Sequence, residues 1–331
     1  MKKVLFGTIF NVLWMSIATF IVLEIFIRIL TSYFLIYDME MMKYSEKLRI
    51  NSSIPGLTHE HRPNAKAHLM GVDIALNSLG HRNAELINPK PKNERRIHFI
   101  GSSMLLGWGV PLEQGMVARV AKRLNEEKSP KSELKYVGIN AGIANYNTFY
   151  QVELFERQVE QTAPDLVVVQ YYINDAEPNP TRSDSYILKK SLLAAFSYLR
   201  VKSVLQTSSS TMEEHYTALY KDGQPDWERT LNSMKKLKDI CEKKGIPLVV
   251  LLVPEIHDFS EDNPYTEIYA KLEKTFSNLA AIVINPLDEM RQRFSDLPEG
   301  IWITRRDPHP NSAGHEVLAN SLSNYLLKLD F

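Results

Sequence analysis

Cysteine is almost absent: Cys241 is the single one in 331 residues. No disulfide can close within the chain, and no cysteine-based zinc site can be built. An excess of either charge is missing as well. Lysine plus arginine and aspartate plus glutamate both number 39, for a net charge of +0. That removes the basic surface a polyanion such as nucleic acid requires. No internal repeat is found. The glycine patterns that cradle nucleotides are lacking too. G-x-G-x-x-G does not occur, and between Gly101 and Gly107 lies one residue more than a phosphate loop allows, with Trp108 in the lysine position. The elbow G-x-S-x-G fails because Met104 and Leu105 follow Ser103. His59, Glu60 and His61 lack the helical spacing of a metal-binding pair and are read as solvated loop.

What the chain does have begins at its N-terminus. Val4 to Leu23, "VLFGTIFNVLWMSIATFIVL", carries no charge. Twenty residues in a helix cover the hydrocarbon core of a bilayer, roughly 30 Å. The apolar character continues past Glu24 and Arg28, four residues apart and able to pair on one helix face, to Tyr37. The run is too long for a signal-peptide core and no A-x-A-like cleavage site follows it, so residues 1–37 are read as a membrane anchor. The alternative is a buried core helix. Lys2 and Lys3 on one flank against Arg28 on the other place the N-terminus in the cytoplasm and the rest outside. The chain is thus expected in the inner (cytoplasmic) membrane as a single-pass protein with an extracytoplasmic or periplasmic domain.

Residues 38–95 are polar and broken by Pro55, Gly56, Pro63, Gly71, Gly80, Pro89 and Pro91, which reads as a stalk and a lead-in segment. From residue 96 to 331 apolar runs alternate with helical patterns. Strands are expected at 97–101, 135–140, 165–173, 247–253 and 281–285. Helices are expected at about 113–128, 147–162, 226–244, 265–277 and from Ser312 to about Leu327. This is the signature of an α/β fold with a doubly wound parallel sheet. Residues 181–225, rich in Ser, Thr and Tyr, interrupt the alternation and are read as an insertion near the mouth of the site.

In such sheets ligands bind beyond the carboxyl ends of the strands. The first strand ends in "GSSMLLGWGV", and a serine there is either a helix cap or a nucleophile. As a nucleophile it needs a base oriented by an acid, and donors for an oxyanion. Such groups stand at the other strand ends. Gly142 in "NAGIANYNT" lets a backbone N–H approach a ligand, and Asn174 in "YYINDAEPN" offers a side-chain amide. Asp307 and His309 in "RRDPHPNSAGH" sit in a loop held by Pro308 and Pro310, with Asn311 or Ser312 capping the last helix. His315, inside that helix, reads as a surface or packing residue.

In this order the segments resemble the four signature blocks of the SGNH (GDSL-type) hydrolases. "IGSSMLLGWGV" is similar to G-D-S-x-x-x-G-x-G, "NAG" to the glycine block, "YIND" to G-x-N-D and "DPHPNSAGH" to D-x-x-H-P-N. "NSLGHRN" (77–83) looks like the lead-in of membrane-anchored bacterial members. The resemblance covers residues 96–331 and implies a three-layer αβα, flavodoxin-like fold. It makes Ser103 the nucleophile, His309 the base and Asp307 its orienting acid. The oxyanion hole would come from Ser103 N–H, Gly142 N–H and the Asn174 amide. Three positions depart from the family pattern. Ser102 replaces the aspartate of the first block, Tyr172 replaces the glycine of the third, and Asp307 stands two residues before His309, with Arg306 in the family's acid position. The implied activity is a serine esterase, without metal or organic cofactor, removing an acyl group (acetyl above others) from a cell-envelope or exported carbohydrate. The alternatives are an O-acyltransferase with the same triad, a lipid esterase, or a catalytically silent carbohydrate-binding domain.

Overall fold

The computed structural model describes residues 2–179, 185–205, 211–280, 282–295, 297–305 and 307–331. The chain starts in a long helix α1 (Lys2–Tyr33) and a shorter α2 (Tyr37–Lys47). Two small antiparallel pairs follow, β1 (Arg49–Asn51) with β2 (His59–His61), and β3 (Lys66–Leu69) with β4 (Val72–Ala75). Next come β5 (Glu94–Ile100), α3 (Ser103–Leu106), α4 (Met116–Glu127), α5 (Ser129–Ser132), β6 (Lys135–Asn140), α6 (Thr148–Thr162) and β7 (Leu166–Tyr171). Helices α7 (Tyr186–Lys190), α8 (Leu192–Leu205) and α9 (Met212–Leu219) precede α10 (Pro225–Lys244). The chain continues through β8 (Leu248–Leu252), α11 (Thr266–Phe276), β9 (Ile282–Ile284) and α12 (Leu287–Phe294). The antiparallel pair β10 (Trp302–Thr304) and β11 (Asp307–Pro310) then leads into α13 (Ser312–Leu326).

The chain divides into two compact units. The first holds Met1–Glu46 and the described part, 185–205, of a later stretch. Within it α1 leaves large apolar side chains such as Trp14 and Met15 exposed. Its segment Gly7–Tyr33 is long and apolar enough to cross a membrane. Glu24 and Arg28 do pair, at 2.7 Å. The same carboxylate also accepts from the N–H groups of Leu192 (3.1 Å) and Leu193 (3.0 Å) and from Ser191 Oγ (2.8 Å). An acidic side chain thus caps the start of α8, where unsatisfied N–H groups and the positive end of the helix dipole meet. Half of the stretch read as an insertion of the catalytic domain therefore clusters with the N-terminal helix. The rest of it, apart from α9 and the residues that follow, lies outside the described residues.

The second unit, Lys47–Thr181 with Ser210–Phe331, contains the sheet. Its strand order is β6-β5-β7-β8-β9, every neighbouring pair parallel. Counted from β5 this is 2-1-3-4-5, the flavodoxin-like order, whose switch point lies between β5 and β7. Every residue of β7 and β8 is buried, as strands covered on both faces require. Helices α4 and α13 pack together, as do α6 and α10, and these pairs supply the outer layers. The expected strands and helices appear within a few residues of the expected limits. The strand expected to reach residue 173 stops at Tyr171, because Ile173–Ala176 turn into a 3-10 helix. Much of the stretch read as stalk and lead-in is built into this unit. His59 and His61, read as solvated loop, are buried in β2. There His59 Nε2 meets Ala144 O at 3.3 Å and His61 Nδ1 meets Gly80 O at 2.8 Å.

Candidate active site

Strand β5 begins with Glu94, Arg95 and Arg96, turns mostly apolar from Ile97 to Ile100 and stops at Gly101, and the chain turns at once into the short helix α3. Ser102 occupies the N-cap position in an extended conformation, and Ser103 is the first helical residue. Helix α3 ends after one turn because Gly107 adopts φ 77, a left-handed conformation that favours glycine. The turn is held from the lead-in segment. Buried Arg82 donates to the carbonyl oxygens of Leu106 (2.9 Å), Gly107 (2.7 Å) and Val110 (2.9 Å). Burial brings its guanidinium down to about 10.

At the far end of the sequence β11 presents Asp307 and His309. Asp307 Oδ1 lies 2.5 Å from His309 Nδ1 and 3.3 Å from the His309 backbone N–H. His309 Nε2 lies 2.8 Å from Ser103 Oγ. With the carboxylate holding the proton on Nδ1, Nε2 is left to accept from the serine hydroxyl. The two-residue spacing therefore reaches: the aspartate and histidine sit on the short strand β11, and the carboxylate folds back onto both the ring and the main chain. Arg306 lies outside the described residues. The second carboxylate oxygen of Asp307 is also engaged, accepting from Trp108 Nε1 at 3.0 Å. Trp108 and Asp307 are both about 1% exposed.

The three expected oxyanion donors differ in their surroundings. The Ser103 N–H sits in the first turn of α3 and donates to no acceptor among the described residues. Asn174 lies exposed in the 3-10 turn after β7, its side-chain amide likewise unengaged among the described residues. The N–H of Gly142, by contrast, donates to Asn140 Oδ1 at 3.1 Å. Glycine is required there for packing. A Cβ on Gly142 would fall 2.4 Å from Leu106 N, inside α3. Asn140 also donates from Nδ2 to Leu105 O (3.1 Å), so the end of β6 clamps the helix that carries Ser103.

The departure at Ser102 has a counterpart. Ser102 and Gln151 face the carboxylate of Asp175, which accepts from Tyr172 N–H at 2.9 Å. Asp175 Oδ1 closes no hydrogen bond among the described residues, and burial pushes this acid up to about 7. Tyr172, in the glycine position of the third block, is buried and donates to Glu255 Oε1 at 3.1 Å. His315 is a packing residue. Its Nδ1 accepts from Met116 N–H at 3.1 Å, and burial holds it down at about 3.

Sequence reasoning passed over Trp108, Arg82, Asn140 and Asp175. Trp108 carried a signal, since a tryptophan bound for the core needs an acceptor for its N–H. Arg82 and Asn140 act on the turn that carries Ser103, 24 and 35 residues along the chain, and the burial of Asp175 depends on the fold.

No protein-family model matches the chain, and no curated protein does. Solved structures do. One is a two-domain esterase (CEX) active on acetylated mannans, co-crystallised with mannopentaose, at 16% identity and TM-score 0.43, covering 71% of this chain and 49% of that one. The match thus spans about half of that protein. A catalytic mutant of Axe2, an acetylxylan esterase from Geobacillus stearothermophilus, matches at 15% identity and TM-score 0.46, covering 71% and 95%. TesA matches at 15% identity and TM-score 0.44, covering 70% and 99%.

Proposed function

We propose that the chain is a serine esterase whose catalytic groups are Ser103, His309 and Asp307. The observation that carries the reading is the unbroken contact from Ser103 Oγ to His309 Nε2 (2.8 Å) and from His309 Nδ1 to Asp307 Oδ1 (2.5 Å). Ser103 Oγ attacks the ester carbonyl as Nε2 takes its proton. Asp307 keeps the imidazole in the accepting tautomer and stabilises the imidazolium that forms. Charge collecting on the carbonyl oxygen meets the Ser103 N–H and the Asn174 amide. Gly142 N–H joins them by swinging from, or sharing with, Asn140 Oδ1. Each such donor is worth on the order of 3 kcal/mol. His309 then protonates the leaving alkoxide, and water attacks the acyl-enzyme by the same relay.

The substrate in this reading is an acyl ester, acetyl before others, on a cell-envelope or exported carbohydrate. The apolar N-terminal helix, taken as a membrane span with the catalytic domain outside, supports that choice. Acetate release from a panel of O-acetylated glycans, with and without an acceptor sugar, tests it. The wild-type chain is expected to release acetate and Ser103→Ala to lose at least a thousandfold in kcat. Acetate passed to the acceptor instead of to water identifies an O-acyltransferase. No turnover of any glycan ester, with turnover of long-chain lipid esters, replaces the substrate class.

A further inference from the structure

A second acid–imidazole pair in the same unit has been given no role. Glu255 and His257 follow β8 in the segment "PEIH" and repeat the local design of Asp307 and His309. The residues are again two apart. The histidine N–H again donates to its carboxylate partner (His257 N to Glu255 Oε2, 2.9 Å), and Nδ1 again contacts that carboxylate. Glu255 is buried, 1% exposed in its side chain, and its Oε1 also accepts from Tyr172 OH. The His257 side chain is 41% exposed, and its Nε2 meets no hydrogen-bonding partner among the described residues. Where Ser103 Oγ meets Nε2 of His309, no hydroxyl among the described residues meets Nε2 of His257.

The pair is bracketed by the two pieces of chain that carry the site. On one side β8 pairs with β7, and Val253 N–H donates to Tyr171 O at 2.8 Å, so the loop with Glu255 lies beside the turn bearing Asn174. On the other side the His257 ring lies 5.3 Å from the half-buried ring of Trp302, which itself donates to Ile256 O at 2.9 Å. Trp302 is paired with Pro310, next to His309. An anion is a poor guest, because the buried Glu255 carboxylate repels it. A hydroxyl is a good one, because it both donates and accepts and so suits Nε2 in either protonation state. An indole face beside such a group is the usual floor for a sugar ring, apolar on its C–H side and hydroxylated at its edge.

We propose that His257, held by Glu255 and flanked by Trp302, binds a hydroxyl of the sugar that carries the scissile ester. This assignment rests on the esterase reading above. It makes His257 a specificity residue and leaves the bond-breaking to Ser103 and His309.

The test uses the full-length chain in detergent with two neutral glycans, O-acetylated manno-oligosaccharides and O-acetylated xylo-oligosaccharides, as probes. In a Ser103→Ala background, which stops turnover, one of these glycans is expected to bind. Adding His257→Ala is expected to weaken it about tenfold, as loss of one hydrogen bond does, and His257→Gln to recover part of it. In turnover, His257→Ala is expected to reduce kcat/KM for the glycan about tenfold more than for p-nitrophenyl acetate, chiefly through KM. Binding by Ser103→Ala that ignores His257, no glycan binding at all, or equal loss on both substrates would overturn the proposal. A wild-type chain that turns over no aryl ester, yet binds glycan in a His257-dependent way, would instead count against Ser103 as nucleophile.

Discussion

The histidine in question at the end of the chain is set by its neighbours more than by its own identity. Asp307 grips His309 through both ring and main chain, and Trp108 in turn grips Asp307. Removing the indole N–H leaves one oxygen of a buried carboxylate without its donor, and hydrogen bonds to charged groups are worth about 1.5–3 kcal/mol. Trp108→Phe is therefore expected to fold and to lose roughly tenfold to a hundredfold in kcat with little change in KM, read by steady-state ester hydrolysis. An unchanged kcat would mean that Asp307 holds its position without the tryptophan. Phenylalanine is smaller than the buried indole, so thermal unfolding of the same variant is measured beside kcat to separate the packing loss from the lost hydrogen bond. Ser103, Asn174, Asp307 and His309 were legible as candidates because each follows or precedes an apolar run at a turn. Trp108, Arg82 and Asn140 were not legible in those roles, because each answers a partner that only the fold brings near.

Elements tell the same story with a different weighting. The strands β5 to β8 were readable because short β-branched runs between amphipathic helices leave few alternatives. The pair β10–β11 was not, since a three-residue strand opposite Asp-Pro-His-Pro has no alternation to read. Two histidines in β2 were misread as solvated because a strand that short does not announce what covers it. The turn after β7 carries a testable consequence. Burial lifts the Asp175 carboxyl from the usual aspartate value to about 7. Across that window the unfolded chain binds fewer protons than the folded one, so this residue's contribution to stability falls as pH rises. Asp175→Asn is therefore expected to gain stability relative to wild type between about pH 4 and pH 7, by about 4 kcal/mol at most. Thermal unfolding of the detergent-solubilised chain at several pH values measures the difference. A gap that stays constant across the window would contradict the assignment of a buried protonated acid.

On the scale of the whole molecule, composition spoke clearly about the N-terminal run and poorly about its companion. Helix α8 has no clear polar face for a periodicity to reveal, and its contact with α1 includes the Glu24 carboxylate at its N-terminus, a partner far along the chain. If α1 spans a membrane with Lys2 and Lys3 inside, a periplasm-dependent alkaline phosphatase fused after Phe331 is expected to be active, and activity only from a cytoplasmic reporter would reverse the topology. The same full-length chain permits the most direct test of Ser103. A fluorophosphonate forms a stable bond only with a serine whose proton a neighbouring base removes. Membranes holding the wild-type chain are expected to label, Ser103→Ala not at all, and His309→Ala only weakly. Equal labelling of wild type and Ser103→Ala, or no labelling of a folded wild-type chain, would contradict Ser103 as the nucleophile.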